Sequence, residues 1–129
     1  SIIASVDLKF RNNSYLVFIE NGLRLIDKDF KGYLNYIESL PIGEVFLNSI
    51  DKDGTGQGFQ MDLMNYIDNS FSKPIIISGG AGNENHLLEG LTNSQTNAVA
   101  TANLFNFIGD GLPNARKFLL ESGCNLARW

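Results

Sequence analysis

The sequence predicts an α/β fold of four βα units, which is half of a (β/α)₈ TIM barrel. Short apolar runs rich in β-branched residues alternate with amphipathic segments, as they do where helices cover a parallel sheet. Four units in 129 residues give about 32 residues per unit, and eight such units fill the roughly 250 residues of a complete barrel. Polar or glycine-rich loops follow the apolar runs, where barrels carry their functional residues.

The first unit contains a strand, an inserted hairpin and a helix. Residues 2–7 form an apolar, β-branched run that ends in the carboxylate of Asp7. A second such run at residues 15–19 precedes an Asn-Gly turn, so we expect it to belong to a hairpin. Apolar residues recur at helical spacing over residues 29–40, with Asp29 as the N-cap.

The second and third units repeat the order of strand, loop and helix. Residues 44–48 form a buried-type strand, and a polar, glycine-rich loop separates it from a helix predicted over residues 61–67. The clearest strand, residues 74–78, runs directly into a Gly-Gly turn that precedes a helix over residues 84–91.

The fourth unit begins with a strand of small residues at 98–101. A short turn or helix is predicted at residues 103–107, followed by a helix over residues 112–122 with Gly123 as its C′ residue. We expect residues 1–129 to form a single domain.

Composition narrows the classes of partner. Hydrophobic residues make up 43% and charged residues 19% of the chain, as in soluble globular proteins. The net charge of -4 and the lack of a Lys/Arg run argue against nucleic acid, and no apolar run approaches the ~20 residues of a membrane helix. Cys124 cannot form an internal disulfide. We therefore expect a cytoplasmic chain with neither a nucleic-acid nor a membrane partner.

Asp7 is the first candidate for chemistry, because functional groups of barrels lie where the strands end. A carboxylate at the end of an apolar strand suits a general acid–base. A helix cap or an ion pair with Lys9 would explain the same position.

Two glycine-rich or small-residue segments predict a site for a small anion. Residues 78–82 and 100–103 would bring bare backbone amides close to a ligand, and a helix start would add its positive end. Phosphate sites of these barrels are commonly built from the loops after the seventh and eighth strands. A tight turn without a ligand is the alternative.

The polar loop at residues 51–56 partly matches a calcium-binding loop. However, Asp62 stands at the twelfth position in place of Glu, and the preceding segment is strand-like rather than helical. We predict instead either a loop that closes over a ligand or a flexible turn. His86 has no second metal ligand in register, so we predict a surface residue, no metal site and no cofactor.

Three segments carry a resemblance to a known family. They read Ile-Ala-Ser-Val-Asp at residues 3–7, Ser-Ile-Asp-Lys-Asp-Gly-Thr at 49–55 and Ile-Ile-Ser-Gly-Gly-Ala-Gly at 76–82. In order and spacing they resemble the C-terminal half of the cyclase subunit of imidazole glycerol phosphate synthase, the HisF-like family. The resemblance implies the C-terminal half of a ribulose-phosphate-binding TIM barrel.

The resemblance also implies a reaction and roles for residues. The family takes ammonia from a partner glutaminase subunit and converts a ribulosyl-linked aminoimidazole carboxamide nucleotide into imidazole glycerol phosphate and aminoimidazole carboxamide ribotide, in histidine biosynthesis. Asp7 matches one of two acid–base aspartates, and Glu44 resembles a charged residue at the ammonia entrance. Asn48 and Ser78 match the substrate pocket. The positions that bind one substrate phosphate are Asp53, Gly54, Gly80, Ala102 and Asn103.

Departures from the family pattern leave three readings open. Asn48 stands where histidine-pathway enzymes usually carry Thr, and it resembles relatives from surface-polysaccharide gene clusters that are linked to amidino-sugar formation. The second acid–base aspartate and the other phosphate site would lie in a half that this chain lacks. The third reading is a non-catalytic half barrel that retains phosphate binding and self-associates, because self-association, like pairing with the missing barrel half, would cover its exposed strand edges.

Overall fold

The computed structural model describes residues 2–105 and 109–127, which form a six-stranded sheet and its helices. In chain order the elements are β1 (Ile3–Arg11), β2 (Ser14–Ile19), β3 (Arg24–Asp29), α1 (Phe30–Glu38), β4 (Glu44–Ser49), a 3₁₀ helix (Met61–Tyr66), β5 (Ile75–Ser78), α2 (Glu84–Thr92), β6 (Ala98–Ala100) and α3 (Gly111–Glu121).

The sheet has the strand order β3-β2-β1-β4-β5-β6. Neighbouring strands in the series β1, β4, β5 and β6 are parallel, whereas β2 and β3 pair antiparallel at the side of β1. A helical segment follows each parallel strand, which confirms the predicted α/β half barrel with a hairpin inserted in its first unit.

The parallel strands β1, β4 and β5 divide their residues between a buried face and a more open face, because side chains alternate along a strand. The buried side chains include Val6, Leu8, Val45, Leu47, Ile75 and Ile77, and they share one core with residues of all three α-helices. The open face carries a row of three polar residues at matched register, Asp7, Asn48 and Ser78.

The first helix begins where its sequence predicts. The Asp29 carboxylate accepts a hydrogen bond from the Gly32 amide at 2.6 Å, which satisfies one of the free amides at the helix start. At the other end of the chain, Gly123 has φ +88° just after α3, as expected for a C′ glycine.

The first strand is longer than predicted. It continues past Asp7 to Arg11 because β2 pairs with it from Asp7↔Phe18 to Arg11↔Ser14. Asp7 therefore lies within β1 rather than at its end. It is nevertheless at the carboxyl end of the parallel ladder, where the last pair with β4 is Leu8↔Ser49.

The segment predicted as a helix over residues 61–67 is a short 3₁₀ helix. Its bonds include Leu63 N–H to the Gln60 carbonyl. The backbone of Ile67 is extended and its side chain is buried, so the helix ends at Tyr66. Within the turn or helix predicted at 103–107, residue 103 forms a bend and residues 104–105 a turn, whereas residues 106–107 lie outside the described residues. No described helix has the length and apolar character to cross a membrane.

Candidate functional site

A cavity of about 260 Å³ opens at the carboxyl ends of β5 and β6. Three segments form its wall: the loop after β4, the turn after β5 and the segment after β6. The lining residues are Asp53, Gly54, Gly56, Ser78, Gly79, Gly80, Ala81, Gly82, Thr101, Ala102, Asn103 and Leu104.

The structure thus brings the predicted phosphate-site residues together around one cavity, with Ser78 of the predicted substrate pocket among them. They come from segments up to 50 residues apart in sequence, Asp53 to Asn103. The binding of phosphate by this group remains a prediction. Asp7, Asn48 and Glu44 lie outside the lining.

Glycine is required where the β4 loop and the β5 turn meet. Gly80 has φ +107°, and a Cβ on it would lie 2.2 Å from the carbonyl oxygen of Gly58. The Gly58 amide donates to the Gly80 carbonyl at 2.8 Å. A Cβ on Gly82 would likewise lie 2.2 Å from the carbonyl oxygen of Gly56. The two backbones therefore touch directly, and any side chain at these positions would separate them.

Several backbone amides at the cavity have no hydrogen-bond acceptor in the part of the chain that the structure describes. Among residues 2–105 and 109–127, the amides of Gly80, Ala81, Ala102 and Asn103 donate to no protein acceptor. Free backbone amides at the wall of a cavity can bind an anion without a cationic side chain. The arrangement can therefore hold a small anion such as a phosphate group.

His86, predicted as a surface residue, is partly exposed and also supports this wall. Its side chain is half-buried, and its Nδ1 accepts a hydrogen bond from the Gly82 amide at 3.1 Å. A Cβ on Gly58 would lie 3.4 Å from the His86 ring, so the imidazole also packs against the β4 loop. The sequence signal for this contact was the position of His86 in the first turn of a helix, four residues after Gly82.

Asp7 and Asn48 interact directly on the open face of the sheet. They are paired in register across β1 and β4, and the Asn48 Nδ2 donates to Asp7 Oδ1 at 3.1 Å. Asn48 is in turn paired with Ser78 of β5, whose side chain lines the cavity. With strands about 4.8 Å apart, the Asp7 backbone lies roughly 10 Å from that of Ser78.

Glu44 lies at the opposite end of β4. It pairs with Ile3 and is four residues from Asn48, a separation of about 13 Å along a strand. The structure therefore separates Glu44 from the polar row and the cavity. The resemblance implies an ammonia entrance at this end of the strand, and that role of Glu44 remains a prediction.

Asp51 ties the loop after β4 to the end of β1. Its Oδ2 accepts hydrogen bonds from the Phe10 amide at 2.7 Å and from Arg11 at 3.1 Å, and its Oδ1 bonds the same guanidinium at 3.0 Å. Burial acts to raise the pKa of the Asp51 carboxyl, but the Phe10 amide and the Arg11 guanidinium outweigh it and hold this pKa below its usual value. The loop that carries Asp53 is thus anchored to the strand that carries Asp7.

We expect Asp51→Asn to lower the free energy of unfolding by about 1 kcal/mol at pH 7, because a partly exposed carboxylate pair contributes on that order. A lowered pKa in the folded state means that this contribution is present above about pH 4 and disappears as the pH falls through the folded pKa. Urea unfolding should therefore show a larger deficit relative to wild type at pH 7 than at pH 3. An equal deficit at both pH values would contradict the ion pair, and Asp27→Asn, at an exposed position in β3, is the matched control.

Comparison with known proteins shows the family of the chain. The family described as "Histidine biosynthesis protein" matches residues 1–109. A Parasynechococcus marenigrum protein, provisionally named imidazole glycerol phosphate synthase subunit hisF2, is 44% identical over 130 residues, which cover 100% of this chain and 48% of that protein. The imidazole glycerol phosphate synthase subunit HisF of Sulfurisphaera tokodaii is 37% identical and that of Pelodictyon phaeoclathratiforme 32% identical, each over 95% of this chain and 49% of its own length. The chain spans about half the length of these relatives.

Proposed function

The chain belongs to the histidine biosynthesis protein family, and from this premise we propose that it provides the C-terminal half of an imidazole glycerol phosphate synthase cyclase. The parent protein would use glutaminase-derived ammonia and a ribulosyl-linked aminoimidazole carboxamide nucleotide. It would release imidazole glycerol phosphate and aminoimidazole carboxamide ribotide. The same proposal includes a cytoplasmic location, a glutaminase subunit as partner and no cofactor.

The observation that carries this proposal is a cavity lined by backbone amides that have no hydrogen-bond acceptor among the described residues. One phosphate of the substrate would accept hydrogen bonds from the amides of Gly80, Ala102 and Asn103. Asp53 would act through its backbone, since its carboxylate would repel a phosphate. Its amide donates to the Ser49 carbonyl at 2.9 Å, which closes the turn that presents Gly54 to the cavity.

Asp7 would act as one acid–base group of the reaction. Its carboxylate stands on the open face of the sheet, in the polar row that leads to the cavity, so a substrate anchored by its phosphate could reach it. A positioned carboxylate of this kind typically contributes about 10²–10⁴-fold to a rate. Ammonia would approach from the opposite end of β4, past Glu44.

The chain alone should turn over little or no substrate, because a second acid–base group and the other phosphate site would belong to the missing half. We expect a full-length protein containing this chain to form imidazole glycerol phosphate when it is supplied with the nucleotide and an ammonium salt. The 129-residue chain should form none above background. Mass spectrometry of the products tests both statements, and substantial turnover by the isolated chain would refute the assignment of a shared active site.

A second candidate function is ammonia transfer in amidino-sugar formation for a surface polysaccharide. Asn48 favours it, because a substrate next to Asp7 would meet a side-chain amide where histidine-pathway enzymes usually carry a Thr hydroxyl. A full-length protein with this function would leave the aminoimidazole nucleotide unchanged in the presence of ammonium.

A third candidate is a non-catalytic half barrel that self-associates. Residues 3–6 of β1 pair with β4 on one edge, and no described strand pairs with them on the other. Ile2 and Ile3 beside this edge are 66% and 50% exposed. Sedimentation of the isolated chain as a dimer, together with an inactive parent protein, would favour this candidate.

A further inference from the structure

Asn48 stands between the proposed acid–base group and the wall of the cavity. On one side its Nδ2 donates to Asp7 Oδ1 at 3.1 Å. On the other side its Oδ1 faces Gly79, the first residue after β5, where a Cβ would lie 3.2 Å away from it. Gly79 itself lines the cavity.

The direction of this contact follows from chemistry. An ionised carboxylate only accepts hydrogen bonds, so the amide must present its nitrogen to Asp7 and its oxygen to Gly79. Gly79 has φ +92°, and a Cβ there would lie 2.5 Å from the Ser49 carbonyl oxygen. The backbone of the turn is therefore pressed against β4, and it leaves the Asn48 amide little freedom to turn away from Asp7.

Asn48 is the one donor to Asp7 among side chains in residues 2–105 and 109–127. Across β2, Asp7 is paired with Phe18. The charged Lys9 on the same strand donates its Nζ to the Gly22 carbonyl at 2.9 Å and lies 4.7 Å from the Phe18 ring centre. Arg11, further along β1, donates to the carboxylate of Asp51. Neither cation of β1 therefore substitutes for the Asn48 amide.

We propose that Asn48 is a positioning residue that orients the Asp7 carboxylate relative to a phosphate held in the cavity. The inference rests on the proposed cyclase function and adds a role that a plain pocket-lining residue would not have. With Nδ2 bonded to Oδ1, the carboxylate is fixed in rotation and its Oδ2 remains available for proton transfer. Loss of the amide would disturb the proton-transfer step while leaving the phosphate anchor in place.

The test compares Asn48→Asp and Asn48→Leu in the full-length protein, with the nucleotide and an ammonium salt as substrates. The first variant keeps the shape of the side chain but removes the donor and adds a repelling charge. The second removes the donor without adding charge. We expect both to lower kcat by about 10–100-fold with KM changed less than about threefold, because misplacing a reacting group acts on the chemical step. Asn65→Asp, at an exposed position of the 3₁₀ helix, should match wild type.

Each outcome has a distinct meaning. If kcat of both Asn48 variants stays within about twofold of an active wild type, the positioning role is refuted and the cyclase function stands. If KM rises while kcat is unchanged, Asn48 binds substrate and does not orient Asp7. If the wild-type protein forms no imidazole glycerol phosphate, the proposed function fails, and the positioning role fails with it.

Discussion

Replacing Gly80 with alanine should lower the free energy of unfolding by about 3 kcal/mol and abolish anion binding at the cavity. Two costs combine: a left-handed backbone that disfavours a side chain, and a Cβ that would lie 2.2 Å from the Gly58 carbonyl oxygen. To relieve the overlap, the β4 loop must move away from the β5 turn. That movement would break the hydrogen bond between the Gly58 amide and the Gly80 carbonyl.

Gly123→Ala is the matched control for Gly80→Ala. Gly123 also has a positive φ, of +88°, but nothing lies within 4 Å of a Cβ built on it, and it lies outside the cavity. Its replacement should cost only about 1 kcal/mol, the price of the backbone conformation alone. Urea unfolding of both variants measures the difference. Equal destabilisation of the two would mean that the loops do not touch as the structure shows.

Asp7→Asn should lower kcat of the full-length cyclase by about 10²–10⁴-fold, because an amide cannot exchange a proton as a carboxylate does. The substitution is nearly isosteric, and Asp7 already lies within hydrogen-bonding distance of Asn48, so the fold should persist. The KM for the nucleotide should change little, since the phosphate anchor lies two strands away. Steady-state kinetics with saturating ammonium separates these effects.

Asp27→Asn provides the comparison for Asp7→Asn, because it makes the same chemical change at an exposed position on β3. It should leave kcat and the thermal midpoint at wild-type values. A full-length Asp7→Asn protein that retains wild-type kcat would remove Asp7 from the reaction. The assignment of the phosphate cavity does not depend on that result.

The parallel part of the fold could be predicted because its signals are local. Residues 75–78 are apolar and β-branched, and the glycines that follow mark a turn whose backbone must approach another segment closely. The rule that functional loops follow strands selected the segments that contain Gly80 and Asn103, and the family resemblance added Gly54; the structure gathers all three around one cavity.

The remaining features depend on partners that a single segment does not reveal. The length of β1 is determined by its antiparallel pairing with β2, so Asp7 could not be placed within the strand beforehand. The 3₁₀ helix ends at Tyr66, because the next residue, Ile67, is extended and buried in the core. The role of His86 arises only when α2 packs so that its ring meets the amide of Gly82.

The most direct test of the central claim is a titration of the isotope-labelled 129-residue chain with inorganic phosphate, followed through its backbone amide resonances. If the cavity is the phosphate anchor, the amides of Gly54, Gly80, Ala102 and Asn103 should shift together and saturate with a single dissociation constant. Resonances at the far end of the sheet, such as that of Glu44, should not move. Uniform small shifts, or none at these four amides, would contradict the claim that this cavity is the phosphate anchor.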